Sequence, residues 1–375
     1  MSRDYTLPDY KNCIANLANS VLKRFEVKPV GDTLPMADEV LSLGHRNVVV
    51  FLLDGMGISV LEKNLDKNGF LRSHIVGKYD SVFPPTTVAA TTSILSGLEP
   101  CGHSLPGWDC YFPQIDKTVS IFPNTIQDTD MPAADYDVSD RFCHYESVIE
   151  KIKRSGTEAY YASSFYPPYP PTLDDICARI TDLCAQPGQK YIYAYYNEPD
   201  TTMHRTGTGS QETVTVLRSL EQKIKALSEN LDDTLLIITA DHSHVDVKGV
   251  DINDYPTITE CLVRMPSFEP RALNFHVKED KKEQFESEFT KCFADKYLLW
   301  PMQKALDEKL FGHGPEHDSF RDMLGQYIAL AVDDTAIFRS ARDAQRYKGH
   351  HAGLTEKERI IPFIAVECGC CSDRK

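Results

Sequence analysis

The chain has 375 residues and a mass of 42.3 kDa, and its composition, with 42% hydrophobic and 25% charged residues, is that of a folded globular protein. Its formal net charge of -15 at pH 7 argues against a general surface for nucleic acid polymers or anionic membranes, because these polyanions repel an acidic protein. The length exceeds that of a typical single core, so we expect one large domain with an insertion, or two domains.

The first ten residues are polar and lack the apolar stretch of a signal peptide, and no run reaches the ~20 apolar residues of a membrane span. We therefore expect a soluble cytoplasmic protein. The eleven cysteines follow no regular spacing, which favours reduced thiols over a disulfide framework. The tail Cys368-Gly-Cys-Cys371 has the composition of a soft-metal or redox site, but we expect a frayed terminus without a specific role.

Short apolar runs alternate along the chain with amphipathic stretches of helical length. This pattern predicts an α/β fold with a doubly wound, mostly parallel sheet and crossover helices. The predicted strands, in chain order, are 47–53, 118–122, 158–162, 190–196, 234–240 and 360–366, and the predicted helices lie at about 87–97, 145–155, 172–185 and 210–230.

The pattern changes between about 250 and 345. This segment contains a charged helix over 278–294 between two short apolar runs, at 271–277 and 296–300, which is typical of a small α+β unit. We predict a catalytic domain formed by 1–250 plus 345–375, and an inserted α+β cap over 251–344. Because His351 follows the insertion, the cap would lie near the candidate site, where a lid or a substrate-selecting element fits.

Acids and imidazoles recur next to the predicted strands. In an open parallel sheet the carboxyl ends of the strands form one rim, where residues distant in sequence converge. A mixed set of three aspartates and three histidines suits a pair of divalent metal ions, most simply zinc, with manganese also open. The candidate ligands are Asp54 after 47–53, Asp200 and His204 after 190–196, Asp241 and His242 at the end of 234–240, and His351 before 360–366.

Local spacing adds two expectations about these ligands. Asp200 and His204 are four residues apart, so one helical turn would present both to one ion. Asp241 and His242 are adjacent and would point to opposite sides of a regular strand, so they require a loop that curls off the strand end.

The segment 83–97 predicts a rigid loop followed by a helix of small residues. Pro84 and Pro85 keep the helix from starting before Thr86, which places Thr87 at or near the N-cap, beside the orphan amides of the first turn. A threonine hydroxyl becomes a useful nucleophile when a divalent metal ion lowers its pKa. The alternative is that Thr86 or Thr87 only caps the helix.

Other motifs favour ordinary structural roles. His276, His313, His317 and His350 have no ligand spacing, whereas His244 lies two residues beyond a candidate ligand and could act on a ligand rather than on the metal. The segment Gly55-Met-Gly57 is not followed by the third glycine of a dinucleotide fingerprint, so a nicotinamide site is not expected.

Together these motifs resemble the alkaline phosphatase superfamily, specifically its type I phosphodiesterase and nucleotide pyrophosphatase branch. The resemblance covers about 47–250 and 347–366. It is carried by Leu53-Asp-Gly-Met-Gly57, Phe83-Pro-Pro-Thr-Thr87, Ser96-Gly97, Asn197-Glu-Pro-Asp-Thr-Thr-Met-His204, Ala240-Asp-His-Ser-His244 and His351-Ala-Gly-Leu-Thr355.

The resemblance implies an alkaline phosphatase-like fold with two zinc sites and a small phosphorylated substrate. Thr87 would be the nucleophile and a shared ligand, and its in-line attack on phosphorus would give a phosphothreonine intermediate that is then hydrolysed. One zinc would be held by Asp200, His204 and His351, and the other by Asp54, Asp241 and His242.

The sequence departs from the family pattern where nucleotide pyrophosphatases carry an asparagine about twenty residues beyond the nucleophile. Here the corresponding stretch is Leu105-Pro-Gly-Trp-Asp109, which contains no asparagine. Trp108, Tyr111 and Phe112 could form a wall of the leaving-group pocket or simply pack. Cys101 lacks the sulfatase signature.

Several functions therefore stay open. We expect a phosphodiester or phosphoanhydride hydrolase. The alternatives are a phosphomonoesterase, phosphonate hydrolase or phosphomutase on the same scaffold, or a metal-binding module without catalysis.

Overall fold

A computed structural model describes residues 5–369 of the chain. Within this range the strands are β1 (Asn47–Leu53), β2 (Ile75–Asp80), β3 (Asp109–Phe112), β4 (Lys117–Ser120), β5 (Thr125–Ile126), β6 (Glu158–Ser163), β7 (Lys190–Tyr196), β8 (Thr234–Thr239), β9 (Val245–Asp246), β10 (Lys248–Asp251), β11 (Ser267–Glu269), β12 (Ala272–Phe275), β13 (Tyr297–Pro301), β14 (Tyr327–Ala331), β15 (Thr335–Phe338), β16 (Gly349–His350) and β17 (Ile360–Cys368).

Residues 5–369 also form helices of very different lengths, several of which are a single turn. They are α1 (Ile14–Arg24), α2 (Pro35–Leu41), α3 (Ile58–Asn64), α4 (Phe70–Ser73), α5 (Thr87–Ser96), α6 (Pro100–His103), α7 (Val138–Phe142), α8 (Val148–Arg154), α9 (Leu173–Ala185), α10 (Asp200–Thr206), α11 (Gln211–Glu229), α12 (Pro256–Thr259), α13 (Lys282–Phe293), α14 (Met302–Asp307), α15 (Ala341–Arg346) and α16 (Glu356–Arg359).

The main sheet has six strands in the order β2-β17-β8-β1-β7-β6. Strands β6, β7, β1 and β8 run parallel, and β17 is antiparallel to both of its neighbours, β8 and β2. Every residue of β1 and β8 is buried, as expected for strands covered by helices on both faces. The predicted α/β class is confirmed, and five of the predicted strands lie in this sheet within two residues of their expected ends.

The long helices form for local reasons that the sequence already contains. In α11 the buried residues Leu217, Leu220, Ile224 and Leu227 recur at helical spacing, and Ser210 caps the first turn by accepting a hydrogen bond from the amide of Thr213. Helix α9 begins with a capping box in which Thr172 and Asp175 each accept from the other's amide, and its buried side chains again recur at helical spacing. All four helices predicted for the catalytic domain are present.

A second sheet of seven strands, all antiparallel, has the order β13-β14-β12-β11-β3-β4-β5. It joins strands from 109–126 to strands from 267–331, through the pair Phe268 and Asp109. The prediction that 118–122 belongs to the main sheet is wrong, because this strand, observed at 117–120, pairs with β3 and β5 instead. The division into a catalytic domain and a cap over 251–344 stays a prediction.

The end of the described chain is tied into the main sheet. Cys368 is buried at the end of β17, so the expectation of a frayed tail does not hold for that residue. Cys370 and Cys371 lie outside the described residues. Between residues 5 and 369, no helix combines the length and apolar character required to cross a membrane.

Candidate metal centre

The site forms where three neighbouring parallel strands of the main sheet end. Strand β1 lies between β7 and β8, so Asp54 is positioned between the segments that follow its two neighbours. The backbone links them directly: the Asp54 amide donates to Tyr196 O at 3.0 Å, and the Asp200 amide donates to Asp54 O at 3.0 Å. Asp241 follows β8, and its Oδ1 accepts from the amides of Gly55 and His242 at 3.0 and 2.9 Å. The parallel register alone therefore gathers three carboxylates.

Asp54, Asp241 and His242 form one group, together with Thr87. His242 Nε2 lies 3.3 Å from Asp54 Oδ1, 3.5 Å from Asp241 Oδ2 and 3.2 Å from Thr87 Oγ1. Thr87 Oγ1 is also 3.4 Å from Asp54 Oδ2. All four residues are buried.

The chemistry of this group fits a cation. Asp54 Oδ1 and Asp241 Oδ2 are buried oxygens without a hydrogen-bond partner in the described chain, although buried carboxylates are normally paired. His242 Nδ1 contacts the carbonyl oxygen of Ser243 at 3.1 Å, and because a carbonyl only accepts, the ring proton is on Nδ1. Nε2 therefore faces the carboxylates with a lone pair. The hydroxyls of Thr87 and Tyr195 donate to Asp54 Oδ2, but Asp54 Oδ1, Asp241 Oδ2 and His242 Nε2 are acceptors that face one another, which a divalent ion would satisfy.

Asp200, His204 and His351 form the second group. Asp200 Oδ1 lies 3.3 Å from His204 Nε2 and 3.9 Å from His351 Nε2. Their Nδ1 atoms contact the carbonyl oxygens of Gly349 and Pro85, at 2.9 and 3.2 Å, so each Nε2 again faces the site with a lone pair. As predicted, Asp200 and His204 lie one turn apart on α10.

His244 belongs to this cluster as well. Its Nε2 is 2.6 Å from Asp200 Oδ1, and ligand atoms of Asp200, His204, His244 and His351 all lie within 4.8 Å of one another. Unlike His204, His242 and His351, His244 has a buried Nδ1 without a hydrogen-bond partner in the described structure. An unpaired acceptor costs less than an unpaired donor, which favours the proton on Nε2 and a hydrogen bond donated to Asp200. His244 thus has the geometry of a residue that orients a ligand.

The electrostatics of Asp54 and His351 point the same way, whereas the pKa of His204, which burial alone would lower, is raised by the neighbouring Asp200 carboxylate. Burial and the charges of Asp241 and Asp200 raise the pKa of Asp54 well above its ordinary value. Burial and the surrounding imidazoles, His242 first among them, hold the pKa of His351 well below its ordinary value. A neutral imidazole is ready to bind a metal, and a bound cation would bring Asp54 back to its ionised form.

Thr87 does not act as a helix cap. It is the first residue of α5, and the N-cap residue is Thr86, which makes no capping hydrogen bond. The Thr86 hydroxyl instead donates to Glu269 Oε1 at 2.5 Å, whereas the Thr87 hydroxyl faces Asp54 and His242. Within residues 5–369, therefore, no side chain caps the first turn of α5, and its amides remain available to an anion beside Thr87.

Two clefts open from Thr87. One, of about 440 Å³, has an aromatic wall formed by Tyr145, Phe165, Tyr166, Tyr193 and Tyr195. The other, of about 660 Å³, is polar and contains His204, His350, His351 and Glu269. Thr87, Trp108 and Asp200 line both, so the two clefts meet at the metal centre.

Of the three aromatic residues predicted near the site, one lines the clefts and two have structural contacts elsewhere. Trp108 lines both clefts and is 41% exposed. Phe112 packs in the core of the second sheet, and Tyr111 hydrogen-bonds Asp116 at the surface.

All seven predicted site residues therefore lie in one place: Asp54, Thr87, Asp200, His204, Asp241, His242 and His351. The predicted assignment of individual metal ligands stays a prediction. His350 and Glu269 also line the site, although neither is predicted to do so from the sequence. Glu269 carries no local signal, because it comes from β11 in the segment that lacks metal-type spacing.

Comparisons with known proteins agree with this description. The family described as type I phosphodiesterase / nucleotide pyrophosphatase matches residues 48–353. The solved structure of murine ectonucleotide pyrophosphatase/phosphodiesterase 5 is similar, with a TM-score of 0.68 and 18% sequence identity over 85% of this chain and 87% of that chain. None of the curated proteins matches the sequence significantly.

Two further structures show the same fold, each over 85% of this chain and 87% of the other. An inactive threonine-to-alanine variant of the murine protein, in complex with AMP, gives a TM-score of 0.66 at 18% identity. The human protein of the same name gives 0.65 at 16% identity.

Proposed function

Since the chain belongs to the type I phosphodiesterase/nucleotide pyrophosphatase family, and is therefore a phosphodiesterase-type hydrolase, we propose that it uses two divalent metal ions and a phosphothreonine formed at Thr87. The family is metal-dependent, and the donor set of three aspartates and three histidines favours zinc, with manganese as the alternative. The substrate is a small phosphodiester or phosphoanhydride.

The observation that carries the proposal is the position of the Thr87 hydroxyl. The hydroxyl is buried and lies 3.2 Å from His242 Nε2 and 3.4 Å from Asp54 Oδ2. Thr87 is also the first residue of α5, whose first turn has no side-chain cap among residues 5–369. A nucleophile, metal-type ligands and free amides thus surround one point. A binding module without catalysis has no use for this combination.

Each residue then has a defined task. Divalent ions held by the two groups would supply positive charge that lowers the pKa of the Thr87 hydroxyl and stabilises the pentavalent transition state. Asp54 and His242 orient the Thr87 oxygen for in-line attack. The amides at the start of α5 donate to a non-bridging phosphate oxygen, and the backbone carbonyls behind His204, His242 and His351 keep their imidazoles in the required tautomer.

The two clefts support a diester rather than a monoester. A monoester has one organic group, which one cleft would hold, whereas a diester presents a group on each side of phosphorus. The aromatic cleft suits a planar ring such as a nucleobase. The related murine structure, an inactive threonine-to-alanine variant that binds AMP, supports both a threonine nucleophile and a nucleotide group.

The test compares bis-p-nitrophenyl phosphate with p-nitrophenyl phosphate as substrates of the protein loaded with zinc or manganese. We expect a higher kcat/KM for the diester, and a phosphorylated Thr87 in the peptide map of acid-quenched reactions. Preference for the monoester would overturn the diesterase assignment. Turnover with phosphate on another residue would overturn the role of Thr87.

A further inference from the structure

In-line attack determines which cleft receives the leaving group. Thr87 Oγ1 lies against Asp54 and His242, so the oxygen that leaves must depart on the opposite side of phosphorus, toward Asp200, His204 and His351. His204 and His351 line the polar cleft, whereas Asp54 lines the aromatic one. The leaving group therefore enters the polar cleft.

Glu269 is the least expected residue in that cleft. It is 4% exposed, and both of its hydrogen bonds are to Oε1, from the Thr86 hydroxyl at 2.5 Å and from the Trp108 amide at 2.8 Å. Within residues 5–369 no hydrogen bond reaches Oε2, and Oε2 is not among the atoms sealed from solvent. A buried carboxylate is thus rigidly held by one oxygen, while the other is open to the cleft.

The charge of the cleft disfavours an anionic leaving group, so among the proposed substrates it favours the phosphodiester over the phosphoanhydride. Besides the ligand Asp200, it contains more carboxyl groups than guanidinium groups, and Arg339 is already paired with Asp109 at 2.6 Å and Asp128 at 2.8 Å. An anionic leaving group such as pyrophosphate would meet excess negative charge. The carboxyl groups are those of Asp109, Asp128, Asp130, Glu269 and Asp343, and the guanidinium groups are those of Arg339 and Arg342.

We propose that the polar cleft selects an uncharged leaving alcohol that carries a second hydroxyl group, and that this hydroxyl donates a hydrogen bond to Oε2 of Glu269. The ligand class is a polyol, such as the glycerol or sugar part of a phosphodiester. The inference rests on the proposed function, since it concerns the leaving side of the same reaction. Hydroxyl side chains of Ser120, Thr125 and Thr129 offer further polar contacts in the cleft.

The reaction is balanced without another reagent. Thr87 Oγ1 loses its proton to water and bonds to phosphorus as the P–O bond to the leaving alcohol breaks. The electron pair stays on the leaving oxygen, which takes up a proton from water. Water then cleaves the phosphothreonine, which restores the Thr87 hydroxyl and releases a phosphomonoester.

The test uses four thymidine 5'-phosphate derivatives that differ only on the leaving side: the ethyl ester, the glyceryl ester, the ribosyl ester and the triphosphate. Ribose in place of glycerol distinguishes a sugar from a glycerol leaving group. Burial raises the pKa of Glu269 to about 7, so assays at about pH 8.5 keep its carboxylate ionised. In the unmodified protein, we expect kcat/KM to be highest for a polyol ester and lowest for the triphosphate.

The decisive variant is Glu269→Gln. Glutamine can still accept from Thr86 and Trp108 through its oxygen, so the substitution removes the negative charge and replaces the open acceptor with an amide donor. We expect the preference for the glyceryl over the ethyl ester to fall at least about tenfold, because the substrate hydroxyl loses a charge-assisted hydrogen bond to a carboxylate and can only accept a weaker one from the neutral amide. Glu62→Gln is the matched control, at an exposed ion pair, and should leave the preference unchanged.

Two results would overturn the inference while leaving the diesterase function intact. One is the same ratio of glyceryl to ethyl ester in the unmodified protein and in Glu269→Gln. The other, which needs no variant, is faster turnover of the triphosphate than of either polyol ester by the unmodified protein. Failure to hydrolyse any of these substrates would instead refute the proposed function, and with it this inference.

Discussion

At the scale of single residues, the hydrogen-bond partner of Nδ1 in each histidine determines whether Nε2 has a lone pair for a metal ion. His204, His242 and His351 are held by backbone carbonyls through Nδ1, which leaves each Nε2 free for a metal ion. In the part of the chain that the structure describes, His244 Nδ1 lacks such a partner, and His244 contacts Asp200 through Nε2 at 2.6 Å. The difference separates candidate ligands from a positioning residue.

This difference predicts the behaviour of His244→Ala. Loss of the hydrogen bond to Asp200 should weaken zinc binding about 10- to 100-fold, without changing the number of ions bound at saturation. Competition with a chromophoric chelator measures the affinity, and elemental analysis measures the number. His244→Gln, which retains a donor, should recover part of the affinity. Loss of one bound ion in His244→Ala would identify His244 as a ligand instead.

Thr87 allows a second test at this scale. Thr87→Ala removes the proposed nucleophile but none of the carboxylate or imidazole groups, so we expect kcat to fall by at least about 10³-fold while the metal content is retained. Thr87→Ser, which keeps the hydroxyl, is the matched control and should retain measurable turnover. Substantial activity in Thr87→Ala would exclude a covalent intermediate at this position.

At the scale of elements, the loop after β8 depends on close contact with the start of α3. Residues 241–243 carry two of the candidate ligands, and Gly57 lies directly against this loop. A Cβ atom on residue 57 would be 2.0 Å from the Cβ and 2.8 Å from the Cα of Ser243. The backbone of 241–243 therefore has no room to approach unless residue 57 is glycine.

Gly57→Ala should accordingly displace this loop. We expect destabilisation of about 1–3 kcal/mol by overpacking, together with weaker metal binding, because Asp241 and His242 move with the loop. Urea unfolding and metal titration measure the two effects. Gly314→Ala, where the nearest atom would be at 3.5 Å, is the control and should change neither quantity. Unaltered metal affinity in Gly57→Ala would show that the loop tolerates displacement.

At the scale of the whole molecule, a buried ion pair joins the second sheet to the segment after His351. The guanidinium of Arg271 contacts Glu358 at 2.6 and 2.8 Å, and neither side chain is exposed. Glu358 also accepts from the Gly353 amide and the Thr355 hydroxyl. The second sheet thereby holds the loop that carries His351.

Removal of one partner should be costly. We expect Arg271→Met to destabilise the protein by about 3–5 kcal/mol, because Glu358 would be left buried without its counter-ion. Arg271→Met combined with Glu358→Met should be less destabilised than the single variant. Lys78→Met, at an exposed pair with Glu62, should change the unfolding free energy by less than about 1 kcal/mol in the same urea titration. Equal effects at both sites would contradict this account.

Metal binding should also stabilise the folded molecule as a whole. The candidate ligands come from four separate segments and meet only in the folded state, so zinc at about 100 times its Kd should add about 2.7 kcal/mol per site. Differential scanning calorimetry should show a lower Tm after chelation and recovery on addition of zinc. Asp54→Ala is the control, with a smaller recovery. A Tm insensitive to chelation would argue against bound metal.

Much of the main sheet follows from local sequence. Strands β1, β7 and β8 are apolar apart from end residues such as Asn47, Lys190 and Thr234, and such runs are recognisable because both faces of a central parallel strand are buried. The candidate site residues are recognisable for a related reason. Parallel strands must end at one rim, so polar groups that follow them converge whatever their distance in sequence.

The second sheet and the leaving side of the site depend on pairings that no local pattern contains. Strand β4 joins a sheet assembled from segments about 150 residues apart, and Glu269 reaches Thr86 only through that assembly. Likewise, the tautomers of His204 and His351 depend on carbonyls 145 and 266 residues away. The sequence by itself thus determined which residues can bind metal, because residue type and strand ends are local properties. Tertiary structure decided which of them are placed as candidate ligands, which as a positioning residue, and which residues line the proposed leaving side, because those placements depend on the partner of each polar atom.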